Sequence, residues 1–460
     1  MTMADTGSPS EGLRAPFSRS DRLISRVVLR PLQEFLRTST SGSLLLLLAV
    51  VVALVWANSP WREGYARLWH TEASLRIGSL VVVEDLRGWV NDGLMTFFFL
   101  LVGLEIKREL TTGELREWRA AALPMVAALG GMVVPALLYQ ALNAGGPGAE
   151  GWGVPMATDV AFALGVLTLA ASFAPASLKP FLLTLAIVDD IGAIVVIAMF
   201  YSGGVRSGPL LVAALLILLI AGLRSLHVRA MAVYVVIGSL FWFAVLRSGI
   251  HPTIAGVVLG LLAPAVPFQR PRAVSEEARR TADETVDDPA PPDADARWWL
   301  RLAQLSKEAV SPLARVEHAL LPWSSFVILP LFALANAGVE LSARALNEAK
   351  TSRIAWGIVL GLVVGKFLGV WLATLAAVKL GVGKLPEGVG WKSMAGLAAT
   401  AGLGFTVSLF VADLAFRRSP LLAQAKVGIL MASILAGGIG YGLLRWMGRR
   451  ASVTLSSDTD

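Results

Sequence analysis

The chain has 460 residues, of which 55% are hydrophobic and only 16% charged, with a mean hydropathy of +0.66. An ordinary soluble domain has about a quarter of its residues charged, so a water-soluble domain is excluded and an all-α polytopic membrane protein is indicated. With no Cys, disulfide and thiol chemistry are excluded as well; the formal net charge of +7 is explained by Lys and Arg anchoring one membrane face, without nucleic acid.

Residues 1–40, with Ser, Arg and Pro but no apolar period, are expected to form a disordered cytoplasmic tail. Apolar runs long enough to span a bilayer then lie at about 42–57, 88–106, 120–142, 153–173, 180–201, 209–223, 230–246, 250–266, 320–339, 354–379, 393–415 and 424–446, which predicts twelve transmembrane helices. Arg14, Arg19, Arg22, Lys107, Arg108 and most other cationic residues fall on one side of these spans. By the positive-inside rule both termini are cytoplasmic. Between spans one and two, Leu75 to Val83 reads as two short strands about Gly78-Ser79, a small external β-hairpin.

Span two opens with Asn91-Asp92 and closes with Glu105-Ile106-Lys107-Arg108-Glu109. Glu105 and Glu109 are four apart and share a helix face. They read either as an interfacial charge cluster or as an acidic cation funnel, with Asp92 a candidate at the entrance. Span four holds Pro155 three residues before Thr158-Asp159. Pro removes a backbone donor and disfavours helix just before itself, and broken helix at membrane depth is tolerated only where it lines a cavity. Span eleven has a matching weak point in Gly396, Gly402 and Gly404 around Thr400 and Thr406. Two interrupted segments at corresponding places point to inverted repeats, here spans 3–5 and 10–12, a rule drawn partly from the family named below.

Span five supplies Asp189 and Asp190. Carboxylates in hydrocarbon are costly and usually handle ions or protons. Adjacent residues on a helix point about 100° apart, so one can face an ion cavity while the other meets a partner. The partner expected is Lys366, in a run with Gly357, Gly361, Gly365 and Gly369 whose spacing suits close helix packing. It is no phosphate loop, since Phe367 stands where Ser or Thr is required. His251 opens span eight and reads as a hydrogen-bonded interface group or a proton sensor. Glu317-His318 precede span nine and could join Glu105 and Glu109. The 267–311 loop, rich in Glu, Asp, Arg and Pro, reads as a largely disordered cytoplasmic insert with a short helix over 297–309.

The strings Trp89 to Met95, Phe99 to Leu110, Ala157 to Gly165, Val188-Asp189-Asp190, Leu334 to Gly338 and Gly402 to Thr406 closely resemble the NhaA-type bacterial Na+/H+ antiporters over roughly 40–450. The resemblance implies twelve spans, with a core bundle at about 119–201 and 353–448 in which spans four and eleven are unwound and cross. Helices at about 41–118 and 206–341 would form an interface panel within a 41–450 transmembrane domain, and residues 451–460 a short cytoplasmic tail. By motif, Asp190 is the principal cation and proton ligand, and Asp189 the partner of Lys366 or a second carrier. Na+ would sit at Asp190, Asp189 and Thr158, with Asp159 offsetting half-helix N-termini and Lys366 their C-terminal ends. Glu105, Glu109, Glu317, His318 and His251 match positions linked to pH response. The family exchanges two protons for one Na+ or Li+ across the bacterial inner membrane, needs no cofactor, and forms homodimers, here through the hairpin at 71–87 among membrane lipids. The long 267–311 loop departs from the family's usual short connection, and Leu321 stands where some members carry another His.

The chemistry behind that implication is a competition. Desolvation disfavours the charged form of a carboxylate, whereas Na+ requires it. A sodium-coupled organic-anion symporter could share such broken helices. An intramembrane aspartyl protease uses Tyr-Asp and Gly-x-Gly-Asp contexts, unlike the Thr-Asp and Val-Asp-Asp of this chain, so a transporter rather than an enzyme is expected.

Overall fold

The computed structural model describes residues 39–77, 80–170, 174–287, 292–417 and 419–457. The expected tail at 1–40 therefore lies almost wholly outside the described residues, as do the hairpin turn Gly78-Ser79 and residues 458–460 of the expected tail at 451–460.

Helix α1 (Ser39–Ala57) turns through 116° into α2 (Arg62–Trp69). Asn58 stops it: the side-chain amide donates to Leu54 O and Val339 O, both at 2.8 Å, and Pro60 follows. Strands β1 (Glu72–Ile77) and β2 (Leu80–Asp85) pair antiparallel, Ile77 opposite Leu80 and Glu72 opposite Asp85, so the expected hairpin is present. Trp89 donates its indole N–H to Ala73 O at 2.9 Å, which ties the hairpin to the start of α3 (Leu86–Thr111).

There follow α4 (Trp118–Asn143), a 3-10 segment (Ala149–Met156) bent by 40° against α5 (Val160–Leu169), α6 (Leu178–Phe200), α7 (Ser207–Ser225), α8 (Met231–Ser248) and the short α9 (Thr253–Leu262). Helices α10 (Pro271–Asp287) and α11 (Pro292–Glu308) form a hairpin before α12 (Pro312–Asn336) and α13 (Ala343–Thr351). The chain ends with α14 (Arg353–Lys379), α15 (Trp391–Thr400) bent by 45° against α16 (Phe405–Ala415), and α17 (Leu421–Ser457). Among the described residues, eight helices are long and apolar enough to cross a membrane, or up to eleven if each bent pair counts as one span; α9 is shorter.

Two departures from the sequence reading have local causes. The 267–311 insert is not largely disordered, because α10 and α11 each open on Pro, which suits the first helical position, and close on a shared stripe. Val274 and Thr281 are buried, Leu302 and Leu305 are half-buried, and Arg301 lies 3.8 Å from Glu277. Span nine starts at Pro312 rather than 320, because the Ser311 hydroxyl caps α12 by accepting from Ala314 N at 3.2 Å.

Close packing brings α14 onto α4. A Cβ at Gly365 would fall 2.9 Å from Pro135 Cα, and one at Gly361 would fall 2.7 Å from Pro155 Cβ. Larger residues would push α14 away from the 3-10 segment. The backbone of α14 is also widened to i→i+5 hydrogen bonding over Leu360–Gly365, a bulge found often at functional sites. Lys366 is the next residue, and it is completely buried.

Candidate functional site between two helix breaks

Residues 157–159 leave helical geometry between the 3-10 segment and α5, and residues 401–404 do so between α15 and α16. Each break leaves backbone groups without intrahelical partners, and each supplies the other. Asp159 N donates to Leu403 O at 2.5 Å, and Thr158 Oγ1 lies 2.9 Å from Ala401 O. Gly404 permits the approach, since a Cβ there would fall 3.0 Å from Ala157 O and 2.8 Å from Leu362 Cδ2.

Asp159 serves both half-helices at once. Its Oδ1 accepts from Phe162 N at 3.2 Å, capping α5, while Oδ2 accepts from Thr406 N at 2.9 Å and Thr406 Oγ1 at 2.5 Å, capping α16. An anion at the N-terminal end of a helix is favoured by the macrodipole; here one carboxylate faces two such ends. Lys366 provides the opposite charge at the carbonyl end, its Nζ donating to Met156 O, the last carbonyl of the 3-10 segment.

Lys366 Nζ also lies 2.7 Å from Asp189 Oδ2, and both side chains are wholly buried. Thr158 Oγ1 is 2.7 Å from the same Oδ2. Asp189 Oδ1, in contrast, is buried and has no hydrogen-bond partner. Asp190, one residue on, is partly buried and makes no hydrogen bond or ion pair among the described residues. Ile187, Ile191 and Ile194, on its side of α6, pack with Phe98, Val102 and Ile106 of α3. The two aspartates therefore differ in what holds them: Asp189 is engaged by Lys366 and Thr158, whereas Asp190 follows it beside the part of α6 that packs on α3.

The residues expected to act together in pH response occupy two separate places. Arg108 Nη1 contacts Glu317 Oε1, and Arg108 Nη2 lies 3.9 Å from Glu105 and 3.8 Å from Glu109, so one guanidinium gathers three carboxylates. His318 is exposed and takes no part in this cluster among the described residues. His251 is elsewhere: its Nε2 lies 3.4 Å from Asp92 Oδ1 and 3.3 Å from Arg417 Nη2, while Nδ1 is 2.7 Å from Thr253 Oγ1. Asp92 precedes Glu105 by thirteen residues on α3, so the two groups are about 20 Å apart along the helix. Glu317 thus joins Glu105 and Glu109, His318 does not, and His251 sits with Asp92 and Arg417.

Several participants had no sequence signal of their own. Arg417 carries no motif that marks it, yet it lies 3.3 Å from Asp92. Asn336 donates to Asn91 Oδ1 at 2.7 Å, and Asn91 Nδ2 donates to the half-buried Asp413 Oδ2 at 3.0 Å, a polar chain linking α3, α12 and α16. Thr406 is marked in the sequence only by the glycines around it. A cap residue separated from its partner by 247 positions leaves no local pattern to read.

Apolar helices held around a buried carboxylate–lysine pair between two helix breaks define a multi-pass membrane protein with an internal charged site. Residues 33–444 match the family model described as Na+/H+ antiporter 1. The chain belongs to that family of transporters, and membership supports sodium/proton antiport. Among its relatives, the Na(+)/H(+) antiporter NhaA 3 of Frankia alni is 46% identical, covering 91% of this chain and 89% of the relative. Na(+)/H(+) antiporter NhaA 2 of Sorangium cellulosum is 45% identical over 94% of this chain and 92% of its own length. Na(+)/H(+) antiporter NhaA of Janthinobacterium sp. is 44% identical, with coverage of 89% and 91%.

Proposed function

We propose that this chain is an electrogenic antiporter of the bacterial inner membrane that expels Na+ or Li+ in exchange for protons, two per cation, by alternating access. In this reading it has twelve spans with both termini cytoplasmic. The two broken pairs are spans four and eleven of inverted repeats 3–5 and 10–12, and α9 is the short eighth span. It works without a cofactor, among membrane lipids, as a homodimer joined through the hairpin at 71–87.

The observation that carries the proposal is the contrast between Asp189 and Asp190. Asp189 is held by Lys366 and Thr158, whereas Asp190 is left without a partner in apolar surroundings. A carboxylate in such a place is favoured when protonated, and a hard cation that prefers oxygen ligands favours it ionised. The two occupants exclude each other, and coupled exchange follows if an empty site does not change sides.

Among the described residues, no group of three or more His, Asp or Glu side chains is placed to hold a metal ion. The cation would therefore take oxygen from Asp190, the unpaired Oδ1 of Asp189 and Thr158 rather than from a carboxylate cage. The Thr158 hydroxyl has one proton and two acceptors in reach, Asp189 Oδ2 and Ala401 O. Asp189 Oδ2 accepts from both Lys366 Nζ and Thr158 Oγ1, so Asp189 is read as the partner of Lys366 or a second carrier, titrating jointly with Asp190 and Lys366. Glu105 lies on the α3 stripe that contains Val102 and Ile106, facing the Asp190 side of α6. The Arg108 cluster is thus read as a cytoplasmic funnel with a pH-responsive part, and Asp92 with His251 as the opposite entrance.

The test is proton movement in liposomes containing purified protein when Na+ is added with no organic anion present. Wild type should move protons and Asp190→Asn should not. Flux persisting at the wild-type rate in Asp190→Asn overturns the site, and flux that requires an organic anion replaces exchange by symport.

A further inference from the structure

The α10–α11 hairpin has no place in the transport mechanism, and its two outer faces differ in kind. On α10 the face turned away from α11 carries Arg272, Ser275, Glu276 and Arg279, spaced i, i+3, i+4, i+7 and all exposed. On α11 the face turned away from α10 carries Ala296, Trp299, Leu300 and Ala303 at the same spacing, also all exposed; Trp299 is 52% and Leu300 70% accessible. Trp298, Leu302 and Leu305 lie on the other side of α11, where Arg301 meets Glu277. The hairpin therefore packs through Val274, Leu302 and Leu305 on its inside and exposes polar side chains along one flank and apolar ones along the other.

Its attachment keeps the hairpin next to the ends of apolar helices. Only residues 309–311 separate α11 from the apolar helix α12, and 263–270 separate α9 from α10. Glu308, the last residue of α11, accepts from Arg229 Nη1 at 2.6 Å, two residues before α8 begins, and from Gln269 Nε2 at 3.3 Å. The end of α11 is thus fixed beside the start of α8 and the segment leaving α9, with α12 beginning four residues on. Trp299 lies nine residues back, about 13 Å along the helix axis. Trp is enriched at the headgroup level because its ring is apolar and its N–H polar. Lys307 continues the outer face of α11, and a Lys stem lies along apolar surface with its ammonium in water.

We propose that α11 lies in the plane of the bilayer that the spans cross, its Ala296–Trp299–Leu300–Ala303 face set into the phospholipid headgroup–acyl boundary and α10 riding above it in water. The occupant of this face is lipid because both ends of the hairpin are tied to the ends of apolar helices and the opposite face is fully polar. This is the pattern of an interfacial amphipathic helix. The insert then acts as a float that holds the loop between α9 and α12 at a constant depth.

The chain has no Cys, so a single introduced thiol reports one position. Leu300→Cys and Ser275→Cys, each labelled with an environment-sensitive nitrobenzoxadiazole, are placed in full-length protein in phosphatidylcholine/phosphatidylglycerol liposomes. Retained sodium-driven proton flux shows that each variant is folded. The label at 300 should lose emission to shallow nitroxide-bearing lipid and be protected from aqueous iodide; the label at 275 should show the reverse. A label at 300 quenched by iodide and not by nitroxide lipid overturns the proposal. So does one protected from both but transferring energy to an acceptor-labelled second copy, which would make the face a protein contact.

Discussion

Removing the Lys366 ammonium while leaving Asp189 in place should be among the most destabilising single changes in the molecule. Both side chains are fully inaccessible, the ion pair is 2.7 Å long, and Asp189 Oδ1 has no other hydrogen bond to fall back on. Breaking a buried pair from one side costs about 3–5 kcal/mol, because an uncompensated charge stays buried. Lys366→Met should therefore lose about that much. Asp189→Asn added to it removes the stranded charge and should recover part of the loss. Recovery is incomplete, because Met156 O still lacks the donor that Lys366 supplied, a deficit of about 1–3 kcal/mol. The measurement is equilibrium unfolding in mixed dodecyl maltoside–dodecyl sulfate micelles for wild type, both single variants and the double. Contacting pairs couple by roughly 0.5–3 kcal/mol, whereas independent sites add to within about 0.5 kcal/mol. A double variant no more stable than Lys366→Met, or losses that simply add, would refute the paired burial on which the site is built.

Asp190→Asn should leave stability close to wild type, because Asp190 makes no hydrogen bond or ion pair among the described residues; the same unfolding assay checks this while transport is lost. Asp159→Asn turns a donor toward Thr406 N if Asn keeps the bond to Phe162, and should cost about 1–3 kcal/mol for that unsatisfied amide. Thr406→Val, which keeps the backbone bond to Asp159, should cost less than Asp159→Asn, and the reverse order would show that the cap on α16 is made by the hydroxyl alone. The Glu308 carboxyl is held below its usual range, first by the hydrogen bond from Arg229. Its folded value being depressed, the attachment is complete above the ordinary carboxylate pKa of about 4.3 and is lost only as pH falls through the lower folded value. A spin label at Ser306→Cys should therefore keep one mobility from neutral to mildly acid pH, and Glu308→Gln should raise it throughout; loosening of wild type near neutral pH would contradict this.

What could be read from the sequence was what lies close along the chain. Apolar runs mark the spans, and Pro155 announces the break that follows it. Apolar length alone, however, set span nine too short, since the cap at Ser311 and Pro312 carries the helix outward past Arg315 and Glu317. The insert failed for the opposite reason: its Pro, Asp and Glu content resembled disorder, while the stripe that closes α10 on α11 is a matter of period, not composition. At the site, Asp189, Asp190 and Lys366 were legible because charge in hydrocarbon is conspicuous. The partners were not. Thr158 meeting Ala401, Asp159 meeting Thr406, and Asp92 meeting Arg417 and His251 join positions more than 150 residues apart, and no local rule specifies such pairs.

The most direct test of the central claim is to count protons released as sodium binds. Purified protein in weakly buffered detergent solution, titrated with NaCl in the presence of a pH indicator, should release protons on sodium binding, and Asp190→Asn should bind no sodium and release none. Sodium binding by wild type with no proton release at any pH would contradict the competition from which the exchange is derived.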